Sequence, residues 1–68
     1  MTNDLTRLFV DMYCERVAIM WINGDKDAER NAYNDTLRTL QNKTNQSAER
    51  FPSLEHCQAA EQQLRFTS

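Results

Sequence analysis

Between Asp4 and Glu15 the polar positions Asp4, Arg7, Asp11 and Glu15 recur every three or four residues, which draws one solvated stripe down a helix. Continued at the same spacing, the stripe runs through Ala18 and Ile22, so the polar face vanishes in the last two turns. Leu5, Leu8, Phe9, Met12 and Ile19 form an apolar arc. Val10, Tyr13, Cys14, Val17, Met20 and Trp21 widen it beyond what one partner helix covers. A helix that is apolar all round is expected to be buried all round. It should start near Thr2 to Asp4, where Thr2, Asn3 or Asp4 can cap free amides, and close at Asn23-Gly24, because glycine accepts the left-handed conformation of a helix end.

A second helix is expected over about residues 26–42. Asp25 is its expected cap, Asp27 and Glu29 sit in the first turn, and the stripe is Ala28, Ala32, Tyr33, Leu37 and Leu40. Only Asn23, Gly24 and Asp25 intervene, a link short enough to predict an antiparallel hairpin. The segment Asn42 to Ser47 holds poor helix formers, which favours a break there over one long helix running to Phe51 and stopped by Pro52. Ser53 can then cap a short third helix over about 53–65, with stripe Leu54, Cys57, Ala60 and Leu64. One glycine and one proline are too few for the turns of a sheet protein. The expected fold is therefore all-α, a single domain over residues 1–68.

Length sharpens this picture. A chain of 68 residues buries only about 60% of the surface that its unfolded form exposes, so its own core is marginal. Association is the ordinary remedy. The broad arc of the first helix then predicts a homodimeric four-helix bundle with Phe9, Met12, Tyr13, Val17, Ile19, Met20, Trp21 and Ile22 at the interface. Methionine and large aromatic residues suit such surfaces because they supply adaptable contact area. The longest apolar run, Val17 to Ile22, is six residues against the about 20 that span a bilayer. With no basic-then-apolar leader at the start, the expected location is the cytoplasm, and Cys14 and Cys57 are expected as reduced core thiols.

Little points to chemistry. Asp25-Lys26-Asp27-Ala28-Glu29 alternates acids as a calcium loop does, but Arg30 and Thr36 stand where such a loop needs glycine and glutamate. His56, Cys57 and Cys14 lack the spacing of a structural zinc site, and the glycines of phosphate-cradling or nucleophile motifs are missing. Neither a cofactor nor catalysis is expected. Eight basic residues are interspersed among ten acidic ones, for a net charge of −2, so nucleic acid is the lesser alternative, through Lys26, Arg30 and Arg38 on one face of the second helix.

The opening Met1-Thr2-Asn3-Asp4-Leu5, a helix closed at Trp21-Ile22-Asn23-Gly24, and the Asn/Gln-rich second half resemble the small helical early-region proteins of lambda-like temperate phages. The likeness covers size, composition and hairpin layout, and no functional residue follows from it. It implies a protein of the host cytoplasm that modulates host processes by binding a host or phage protein.

Overall fold

The computed structural model describes the backbone of residues 4–67 and the side chains of residues 5–63. Three α-helices follow one another, α1 (Asp4–Ile22), α2 (Ala28–Thr44) and α3 (Leu54–Thr67), with one 3₁₀ turn at Ala48–Arg50 and no strand among the described residues. The expected caps Thr2, Asn3 and Asp4 and the apolar Leu64 lie outside the described side chains.

Gly24 closes α1. At φ +82° it lets the Asp25 amide donate to Met20 O and its own amide donate to Trp21 O, both at 3.0 Å, the paired bonds of a Schellman end. The start of α2 differs from expectation. Asp27, not Asp25, occupies the cap position and makes no side-chain cap bond. Asp25 acts one step earlier: its carboxylate accepts from the Asp27 amide at 2.9 Å and from Asn31 Nδ2 at 2.8 Å, which fixes the turn feeding the helix. The link thus runs from residue 23 to 27, and α2 packs back on α1 as a helical hairpin. Arg16 ties the pair from the side, donating to Thr39 Oγ1 at 3.1 Å and meeting Asp35 at 3.2 Å.

At its other end α2 stops at Thr44, because Asn45 adopts the left-handed conformation at φ 58° and its amide returns to Gln41 O. Asparagine tolerates that conformation better than most residues, which is why the break falls in the Asn-rich segment. The chain then passes through the 3₁₀ turn to Phe51 and Pro52. Ser53 Oγ accepts from the His56 amide at 3.2 Å and so caps α3.

Phe9 holds the three segments together. Its ring lies 5.3 Å from Tyr33 of α2 and 5.4 Å from Phe51 of the α2–α3 link, tilted against both. Tyr13, Val17, Ala28, Ala32, Leu40 and Cys57 complete the buried core. The Tyr33 hydroxyl leaves this cluster to donate to Pro52 O at 2.9 Å, which anchors the link. The Cα trace measures 31 × 24 × 16 Å, and α2 and α3 both pack on α1 from the side of Phe9, Tyr13 and Val17, which leaves its far side uncovered.

Candidate interaction surface

The expected interface residues of α1 divide into three groups. Phe9, Tyr13 and Val17 are corrected: with at most 2% of their surface exposed, they are consumed by the chain's own core and have nothing left to offer a second molecule. Met12 and Met20 are half-buried at the edge of that core. Ile19, Trp21 and Ile22 are open, at 52%, 48% and 84%, and are joined by Leu8 at 46%.

The open residues do not form one patch. At 3.6 residues per turn, Ile22 and Ile19 fall on the same side of the helix as Leu8, whereas Trp21 lies nearly opposite Ile19. Leu8, Ile19 and Ile22 form a ridge, with the exposed Asp11, Glu15 and Ala18 between them. This ridge continues the solvated stripe of the first turns, with apolar residues where polar ones began.

Trp21 instead borders a cleft of about 220 Å³, where the end of α1 meets the starts of α2 and α3. Lys26, Asp27, Glu29 and Arg30 line it, with Leu54 of α3. Gln58 Nε2 donates to Glu29 Oε1 at 3.0 Å and pins one wall. Two cations and two anions on the same small rim cancel, and the volume is below the about 300 Å³ at which ligand pockets begin. Lys26 and Arg30 therefore share this cleft with acids, while Arg38 is exposed farther along α2. A continuous basic surface, as the nucleic-acid alternative would use, is not formed by these three.

Two buried polar groups escaped the sequence reading. Thr36, fully buried, donates its hydroxyl to Ala32 O at 2.7 Å, a bond within its own helix that lets a polar residue occupy a core position. Glu61 is 6% exposed and accepts from the Tyr13 hydroxyl at 3.4 Å, a long contact. Each occupies a helical position of its apolar stripe, Thr36 four residues from both Ala32 and Leu40 and Glu61 four residues after Cys57, but only the placed neighbours show what satisfies its polar group.

Burial, and then the nearby Glu61 carboxylate, raise the Tyr13 phenol well above its ordinary 10.0. Burial, and then Cys14, push the Cys57 thiol from 9.0 up to about 11. Burial also raises Cys14. A thiol that stays protonated is a weaker nucleophile and metal ligand than a thiolate. No group of three or more His, Cys, Asp or Glu side chains that could hold a metal is found among the described residues.

A pH dependence follows. Cys57 contributes the same stability at every pH below about 9. Between about 9 and 11 the unfolded chain has lost a proton that the folded chain keeps, so stability falls as pH rises, and Tyr13 adds to the fall from about 10 upward. The urea midpoint should be flat from about pH 7 to 8 and clearly lower at about pH 10.5. Equal midpoints at the two ends would show that neither group is held protonated by the fold.

No helix among the described residues is long and apolar enough to cross a membrane. No family model matches the chain, and no curated protein or solved structure is significantly similar to it.

Proposed function

We propose that the protein is a noncatalytic interaction module that forms a homodimer through the outward face of α1 and, as a dimer, modulates a host or phage partner protein in the cytoplasm. The observation that carries this reading is the ridge of Leu8, Ile19 and Ile22, open on the side of α1 turned away from the core residues Phe9, Tyr13 and Val17. Scattered exposed apolar residues are normal on any protein. Three large ones aligned on one helix face make a surface suited to association.

Static light scattering tests the reading. The expected mass is twice the 8.0 kDa of one chain, and a fully helical sample with the mass of one chain would overturn it.

A further inference from the structure

The apolar face of α1 has a second regularity, finer than its exposure. Leu5, Leu8, Met12, Glu15, Ile19 and Ile22 are spaced three, four, three, four and three residues apart, the alternation of a coiled-coil seam, with one acid among five apolar residues. Leu8, Glu15, Ile19 and Ile22 of this set are exposed, and Leu5 and Met12 are half-buried where the seam meets the core.

We propose that two copies of α1 pair antiparallel about a two-fold axis, in the register that sets Leu8 of each chain against Ile19 of the other. This rests on the homodimer reading above and adds its orientation and register. In an antiparallel coiled coil the two kinds of seam position face each other across the axis. Leu5 then meets Ile22 of the second copy, Leu8 meets Ile19, and Met12 meets Glu15, each layer occurring twice by symmetry. Every seam residue within the helix finds a partner. A shift by one heptad toward the C-terminal end of α1 sets Leu5 and Leu8 opposite Glu29 and Lys26, which lie outside the helix.

Charge selects the same arrangement. In a parallel pair each residue faces its own copy, so Glu15 would meet Glu15 within the seam. In the antiparallel register Glu15 faces Met12, a long and adaptable side chain past which the carboxylate can reach the rim. Asp11 falls beside Ala18 of the second copy and not beside another acid. Ala18, small and exposed, gives the two backbones room to approach.

Disulfide trapping reads the register directly. Leu8→Cys and Ile19→Cys are made separately in a Cys14→Ala background, with Cys57 left in place because it is fully buried. One variant carries a mass tag, and the two are mixed and oxidised. The mixed product, which joins position 8 of one chain to position 19 of the other, should exceed either symmetric product by at least about tenfold, since eleven residues along a helix separate the two Leu8 positions by about 16 Å. Predominant Leu8→Cys homodimers would mean parallel pairing and would overturn the proposal. A dimer by light scattering that traps neither product would place the contact elsewhere and would also overturn it. A monomer by light scattering would instead remove the homodimer reading itself.

A second variant needs no cysteine. Glu15→Leu fills the one polar layer and should tighten dimerisation at least about tenfold without changing helix content. Unchanged affinity would show that Glu15 lies outside the contact and would overturn the register.

Discussion

Phe9→Ala is expected to leave the chain largely unfolded at room temperature. The ring is fully buried and, among the described residues, is the one side chain in ring contact with both α2 and the α2–α3 link. Removing it costs the transfer energy of the aromatic ring and opens a cavity between three segments, about 3–5 kcal/mol together. A domain of 68 residues has a total stability of about 3–10 kcal/mol, so the loss takes up most of it or all of it. Leu8→Ala, one position earlier but 46% exposed, is the control and should cost within about 0.5 kcal/mol at concentrations where the chain is monomeric. Circular dichroism with urea unfolding distinguishes the two. If Phe9→Ala unfolds within about 1 kcal/mol of the parent, the aromatic cluster is not what holds the segments together.

The second large effect is on assembly, with little on the fold. Ile19→Glu combined with Ile22→Glu places two carboxylates on side chains that a single chain leaves 52% and 84% open. Within one chain they remain in water and cost little. In the dimer all four would have to leave water without partners, at several kcal/mol each. Association should weaken by at least about a thousandfold while the helical signal is retained. Arg38→Glu, on the exposed face of α2, should leave the mass unchanged. A double variant that stays dimeric would clear the α1 ridge of any role, and one that unfolds would mean that the ridge serves the core.

The sequence carried the helices because their stops are local chemistry. Gly24 and Ser53 act within four residues of themselves, through backbone conformation or one hydrogen bond, and need no tertiary knowledge. Asp25 was misplaced by two residues because an acid can satisfy a turn amide as readily as a helix amide. The interface was harder. An arc of apolar residues gives their direction around the helix, not how much of the arc the rest of the chain will cover. Phe51 joins the core by way of the link, so Phe9, Tyr13 and Val17 are sealed without outside help. What stays open is the narrow far side, where Ile19 and Ile22 remain and from which Trp21 is turned away toward the cleft. Glu61 stands at core spacing four residues after Cys57, but a carboxylate enters a core only where a donor such as the Tyr13 hydroxyl is waiting, and that pairing joins residues 48 apart.

The central claim is that a second copy covers the outward face of α1. An isotope-filtered nuclear Overhauser experiment on an equal mixture of labelled and unlabelled chain tests it most directly. The account predicts cross-peaks between chains from the methyl groups of Leu8, Ile19 and Ile22, and none from Val17, which is sealed in the core. Well-resolved spectra of the folded protein with no cross-peak between chains at those methyl groups would contradict it.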